Sequence, residues 1–165
     1  MAQIFISLGS NVEREKHTYS GLDALYQTFG DLQLSSLYES EAVGFAGSAF
    51  FNMVICAYTQ LSVEEVVNHL KAIERQNGRL QGDKKFAPRT LDLDLLLYDD
   101  LVLSNPVELP RAEILHNAFV LWPLAELVPK KLHPVTQISY EQLWQDYNKD
   151  SQKLWKVDFN WKPSL

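Results

Sequence analysis

The sequence predicts an α+β domain: an antiparallel sheet with helices packed on it and a C-terminal extension. Two patterns predict it. Short runs rich in β-branched and aromatic residues alternate with longer stretches of helical periodicity, in the order strand, helix, strand, strand, helix, strand. The second helix also has an explicit start, because Ser62 is followed three residues later by Glu65, the pairing in which each side chain satisfies an orphan backbone donor. No repeat, linker or low-complexity tract interrupts the chain, so residues 1–165 read as one domain.

The first strand is Gln3–Leu8, stopped by Gly9-Ser10-Asn11, whose expected role is a tight turn. Leu22, Leu25, Tyr26 and Phe29 then recur on one helical face, giving a helix over about residues 14–29 that Gly30 ends. Leu32–Ser40 reads as a second strand, Glu41–Ala49 as a loop, and Phe50–Tyr58 (FFNMVICAY) as the strongest strand in the chain. Val63, Val66, Val67, Leu70 and Ile73 form the stripe of the capped helix, which Gly78 closes. Arg79–Pro88 is polar and aperiodic, a loop; Thr90–Tyr98 (TLDLDLLLY) is the fourth strand, and Asp99-Asp100 turns the chain. That order is the split βαβ, ferredoxin-like arrangement, with both helices on one face of the sheet. Beyond it, Asn105–Pro110 is extended or looped, Asn117–Leu127 holds a short helix interrupted at Pro123, and Ser139 with Gln142 starts a helix through Tyr147. Trp155 and Trp161 are expected to anchor the tail.

Composition narrows the function. The chain has 165 residues, 15 Lys+Arg against 21 Asp+Glu, a formal charge of −6 and 46% hydrophobic residues, all ordinary for a soluble globular domain. A chain of this length buries about 70% of its unfolded surface unaided. With 12% aromatic residues it is not a disordered polymer. No apolar run reaches the roughly 18 residues of a membrane span, and Ile4–Leu8 is too short for a secretory signal. Cys56 stands alone in an apolar run, which excludes an internal disulfide or a cysteine-based zinc site and suits a buried thiol in a reducing cytoplasm. The acidic balance argues against nucleic-acid binding and makes any phosphate affinity local.

Arg89-Thr90-Leu91-Asp92-Leu93-Asp94 is the most informative stretch. On a strand, Asp92 and Asp94 share one face while Leu91, Leu93 and Leu95 face the core. Two carboxylates about 6.6 Å apart along a strand can converge on hard cations, and Mg2+ needs few carboxylates when substrate phosphates complete its shell. Taken alone, a solvated outer face explains this alternation better. The neighbourhood shifts the balance. Arg79, Lys84, Lys85 and Arg89 stand against a single acid, Asp83, so a local positive patch leads into the acidic strand. Metal on the acids and phosphate oxygens on the cations is what a Mg-nucleotide needs. The bland reading is a mobile loop paired to its own acids. No Walker A or G-x-G-x-x-G stretch is present. His17, His69, His116 and His133 are scattered and read as structural or surface residues, and Glu64-Glu65 belongs to a helix N-terminus. Phe50, Phe51, Asn52 and Phe119 form an aromatic and amide set that suits a flat heteroaromatic ligand, although core packing accounts for the aromatics equally well. A buried Asn52 must find partners or cost about 1–3 kcal/mol.

Gly9-Ser10-Asn11, Phe51-Asn52, Pro88-Arg89-Thr90-Leu91-Asp92-Leu93-Asp94 and Leu121-Trp122-Pro123-Leu124 resemble, in order and spacing over about residues 3–130, the 6-hydroxymethyl-7,8-dihydropterin pyrophosphokinase family. The resemblance implies transfer of pyrophosphate from Mg-ATP to the hydroxymethyl group of the dihydropterin, with release of AMP, in folate biosynthesis. It implies two Mg2+ ions on Asp92 and Asp94, with Arg79 and Arg89 neutralising the triphosphate. Lys71, Glu74, Lys85, Phe86 and Arg111 complete the implied ATP contacts, and Ser40, Val43, Phe50, Asn52 and Phe119 the implied pterin contacts. Small-molecule substrates, a cytoplasmic location and a monomer are expected. The chain departs from the usual pattern at Phe86, Ala87 and Phe50, at Gln81 and Asn117 where arginine is usual, and at Arg111 where histidine is usual. These changes remove a nucleotide contact, while Arg111 restores a charge. Two other classes remain open: a paralogue that binds pterin or nucleotide without efficient turnover, and a small regulatory module on the same fold.

Overall fold

The computed structural model describes residues 1–40, 49–78 and 90–163. Its elements are β1 (Ala2–Ser10), α1 (Arg14–Phe29), β2 (Gln33–Leu34), β3 (Leu37–Ser40), β4 (Phe50–Thr59), α2 (Val63–Gln76), β5 (Asp92–Tyr98), α3 (Glu113–His116), α4 (Ala118–Leu127), α5 (Tyr140–Asp146), a 3-10 turn (Lys149–Ser151) and β6 (Leu154–Val157). The sheet is 6-stranded, in the order β5-β1-β4-β3-β6, with β2 also on β4. All its pairings are antiparallel. β1-α1-β3-β4-α2-β5 is the split βαβ core that the element order predicts.

Alternation along the strands divides the side chains between two cores. Ile4, Ile6 and Leu8, with Phe51, Met53 and Ile55 and with Leu91, Leu93 and Leu95, meet the apolar stripes of α1 and α2. Phe5, Val54, Cys56, Leu96 and Leu97 face the opposite side and pack on Ile114, Val120, Leu121, Leu124 and Tyr140 of α3, α4 and α5. Helices therefore cover both faces, not one. The continuous apolar run of β4 already fits a strand buried on both sides. Cys56 is a buried free thiol, and burial pushes its pKa up, which makes it inert.

Several elements differ from the sequence reading for physical reasons. Leu32–Ser40 is two strands, because Ser35 breaks the ladder: its amide donates to the Val54 carbonyl at 3.0 Å, but its Oγ, in place of a backbone carbonyl, accepts from the Val54 amide at 2.9 Å. β1 does not stop at Leu8 but continues through Gly9 and Ser10. β5 begins at Asp92, two residues later than Thr90. α4 runs on through Pro123. Proline removes one helical bond, but Val120, Leu121, Pro123 and Leu124 are all buried, and that burial holds the helix together. α5 ends at Asp146, one residue before the expected Tyr147.

Other expectations match. α1 spans Arg14–Phe29, and Gly30, at φ 80°, closes it with an N–H to the Tyr26 carbonyl. At Gly21 an added Cβ would lie 3.1 Å from Leu91 and 3.4 Å from Leu8, so the missing side chain lets α1 settle on Leu91 and β1. The α2 capping box is formed in both directions by Ser62 and Glu65. The tail is anchored as expected. Trp155 Nε1 donates to Glu39, Trp161 Nε1 donates to Asp23, and β6 covers the edge of β3. Among the described residues no helix is long and apolar enough to cross a membrane.

His133 is a structural residue. It is buried, and its Nδ1 accepts the Val135 and Thr136 amides, both at 3.1 Å. Burial holds its pKa below the ordinary value. The unfolded chain therefore takes the proton first, so this stabilisation is complete above about pH 6.5 and is lost as pH falls below it. Urea titrations at pH 7.5 and 5.5 should show acid destabilisation that is smaller in His133→Asn. The difference between the two proteins should not exceed about tenfold in unfolding constant per pH unit.

Candidate functional site

Register gathers polar residues at one end of the sheet, on the face that carries α4. Asp94 pairs with Ser7, and Ser7 with Val54. One step along, Asp92 pairs with Gly9, Gly9 with Asn52, and Asn52 with Tyr38. Phe50 pairs with Ser40 at the rim. Paired residues share a face, so Asp92, Asp94, Asn52, Phe50 and Ser40 form one patch. Asp92 and Asn52 lie two strand spacings apart, about 10 Å. Leu91, Leu93 and Leu95 point the other way and are buried, as the alternation requires.

Gly9 sits at the middle of the patch. A Cβ there would stand 3.0 Å from Asn52 Oδ1. Its function is therefore to give room to the Asn52 amide, not to turn the chain. Asn52 is buried, and its Nδ2 donates to Ser40 Oγ at 3.3 Å. Ser10 Oγ donates to the Thr90 carbonyl at 2.5 Å, tying the end of β1 to the entry of β5.

Asp94 is half-buried and held by Arg111, whose Nη2 donates to Asp94 Oδ1 at 2.8 Å. A register shift in the β1–β5 pairing between Phe5 and Ile6 helps place Arg111: Leu96 is skipped in the pairing, and its carbonyl accepts the Arg111 amide at 3.0 Å. Arg111 Nε is buried with no hydrogen-bond partner among the described residues. Glu74, near the end of α2, accepts the Leu93 amide at 2.8 Å, so one of its oxygens braces the strand between the two aspartates. Lys71 is exposed one turn earlier on α2. Phe119, in the first turn of α4, is half-buried against the second core.

Of the residues singled out from sequence, Asp92, Asp94, Ser40, Phe50 and Asn52 thus come together in the patch, Arg111 joins it through Asp94, and Glu74 braces its acidic strand. Val43, Arg79, Gln81, Lys84, Lys85, Phe86, Ala87 and Arg89 lie outside the described residues. Arg14 escaped the sequence reading. It forms an ion pair with Glu39, donates to the Ala49 carbonyl at 3.0 Å and lies over the Phe51 ring at 3.9 Å, fixing the start of α1 to the strands that carry Ser40 and Asn52. An isolated arginine at a helix start carries no sequence signal for that role.

The donor set suits Mg2+. Asp92 and Asp94 offer hard carboxylate oxygens on one face, and among the described residues no group of three or more His, Cys, Asp or Glu forms a closed metal cage. Two carboxylates leave room for phosphate oxygens and water, the usual coordination of magnesium with a nucleotide.

Comparison with known proteins bears on the family and the fold. A model of the family described as 7,8-dihydro-6-hydroxymethylpterin-pyrophosphokinase matches residues 5–129. A 2-amino-4-hydroxy-6-hydroxymethyldihydropteridine pyrophosphokinase from Aquifex aeolicus is 32% identical over 138 residues, 82% of this chain and 86% of that one. Its counterpart from Pseudomonas aeruginosa is 36% identical over 133 residues, 77% of this chain and 81% of that one. A crystal structure of Plasmodium falciparum HPPK-DHPS shares the fold, with TM-score 0.72 at 13% identity. That match covers 88% of this chain and 45% of the Plasmodium chain, so this chain spans less than half the length of that protein.

Glu74→Ala should leave the Leu93 amide without its acceptor and destabilise the fold by about 1–3 kcal/mol in denaturant unfolding. Glu74→Gln, which keeps an oxygen there, should cost less than half as much.

Proposed function

The chain belongs to the 7,8-dihydro-6-hydroxymethylpterin-pyrophosphokinase family, and we propose that the patch on β1, β4 and β5 is where it works. The enzyme transfers pyrophosphate from ATP to the hydroxymethyl group of 6-hydroxymethyl-7,8-dihydropterin, releasing AMP, a step of folate synthesis that depends on Mg-ATP. Assigning individual residues rests on one observation: two carboxylates and a buried amide share a sheet face about 10 Å apart, two strand spacings. That separation suits a substrate with a heterocycle at one end and a reacting alcohol at the other.

On this reading Asp92 and Asp94 hold the magnesium of Mg-ATP, as two ions. When bound, the metal supplies positive charge to the phosphate oxygens and favours ionisation of the attacking hydroxyl. Arg111 contributes from the side. Its unpartnered buried Nε is a donor that an anionic ligand would satisfy. Arg79, Arg89, Lys71, Lys85, Phe86 and Glu74 complete the proposed nucleotide contacts.

At the other end, Asn52 reads the pterin edge. Its amide offers both a donor and an acceptor, and Gly9 leaves it space. Phe119 and Phe50 sandwich the ring, and Ser40 and Val43 border it. The hydroxymethyl oxygen then faces the β-phosphorus. An O–P bond forms as the bond to the departing AMP breaks, and the hydroxyl proton passes to water. The protein's work is positioning and charge stabilisation, and no side-chain base is required.

Isothermal titration with a non-hydrolysable ATP analogue, with and without Mg2+ and pterin, tests the assignment. Asp94→Asn should abolish Mg2+-dependent nucleotide binding and lower turnover by at least about 100-fold, a loss on the scale of a transition-state charge contact, while its unfolding midpoint stays near that of the wild type. Wild-type turnover in that variant would remove Asp94 from the metal site.

A further inference from the structure

The segment after residue 129 lies outside the family match, yet it returns to the site. α4 begins without a cap of its own: Asn117 precedes it in an extended conformation and makes no side-chain capping bond. The missing acceptor comes from Gln152, whose Oε1 takes the Ala118 amide at 2.7 Å. Gln152 Nε2 reaches the Asn117 side-chain oxygen at 3.3 Å and the His116 carbonyl at 3.4 Å. One amide thus bridges the last residue of α3, the junction and the first residue of α4. The next residue is Phe119.

The same segment also holds the other wall. Two residues on, Leu154 pairs with Ser40 as β6 joins β3, and Trp155 donates to Glu39 at 2.9 Å. Gln152 is half-buried, and the 3-10 turn before it, Lys149–Ser151, brings it back toward α4. Fixing the first turn of α4 sets where the Phe119 ring stands relative to β3 and β4.

We infer that Gln152 is a positioning residue for the pterin pocket: it caps α4 from the C-terminal segment and so sets Phe119 against Asn52 and Ser40. The inference rests on Phe119 and Ser40 being pterin contacts. It concerns the heterocycle end alone, because Gln152 makes no contact with Asp92, Asp94 or Arg111 among the described hydrogen bonds.

Steady-state kinetics on the full chain test it, each variant assayed well below its own unfolding temperature. Gln152→Ala should raise KM for the dihydropterin about fivefold, the scale of a lost helix cap. KM for ATP and the Mg2+ dependence should stay at wild-type values. Gln152→Glu keeps an acceptor for the Ala118 amide at a helix N-terminus, where negative charge is favoured, but turns an oxygen toward the two acceptors that Nε2 serves, so it should recover only part of the loss. Equal rises in both KM values, or a pterin KM that does not move in Gln152→Ala, would overturn the inference. Phe119→Ala separates the two possible failures. An unchanged pterin KM there removes the pocket itself, whereas a raised value there with an unchanged value in Gln152→Ala removes only the role of Gln152.

Discussion

A slip of one residue between β1 and β5 would turn Asp92 and Asp94 into the core beneath α1 and α2 and expel Leu91, Leu93 and Leu95 from it. Nothing else in the site survives that exchange. Buried, unmetallated carboxylates cost several kcal/mol each, and the lost leucine burial adds about 2 kcal/mol per side chain. The packing that stabilises the sheet therefore also specifies which face carries the acids. Gly9 makes the arrangement usable. It sits between Asp92 and Asn52 in the same row of paired residues, and any side chain there would press on the amide. Stability and substrate geometry are set by one register.

α4 is the second constraint, because it packs on the face of the sheet that carries the patch and is held at both ends. Its N-terminus takes its cap from Gln152. Near its C-terminus, Glu126 accepts from Ser36 Oγ at 2.6 Å, from the Ser36 amide at 3.0 Å and from Tyr38 Oη at 2.7 Å. Burial pushes the Glu126 carboxyl up, but the hydrogen bonds from Ser36 and Tyr38 outweigh it, and the group stays below the usual carboxylate range. The Tyr38 phenol is pushed well above its ordinary value by burial and by that carboxylate. It remains a neutral donor at any working pH. Tyr38 stands opposite Asn52 in the register, so the helix is tied to the row of the sheet that holds Asn52, Gly9 and Asp92.

The parts visible in the sequence are those with a short period. Asp92 and Asp94 show themselves by alternation, α2 by Ser62 and Glu65, and the core of β4 by its composition. The second helical layer was also implied, since a strand as apolar as FFNMVICAY must be covered on both faces, but the assignment of helices to one side hid it. The break at Ser35 depends on one hydroxyl meeting Val54, a contact between residues far apart in sequence. Glycine at a strand end usually marks a turn, and only the position of Asn52 shows that Gly9 is a gap. Gln152 and Arg14 act through contacts with residues far away in sequence, for which no local pattern exists.

Charge explains why so acidic a chain can work on a polyphosphate. With a formal charge of −6, the whole protein repels ATP at long range. Attraction must come from close pairs, because beyond about 8–10 Å salt screens the rest. Arg111 illustrates the compromise. It neutralises Asp94 at 2.8 Å, which keeps two neighbouring carboxylates tolerable before a cation arrives. The guanidinium presents several donors in one plane and is always charged, so one donor holds Asp94 while the whole group keeps its charge beside the acids. A histidine at this position would offer at most two donors and a charge that titrates near neutrality. An arginine there is thus a permanent counter-charge for the acids, in a fold whose net field opposes a polyphosphate.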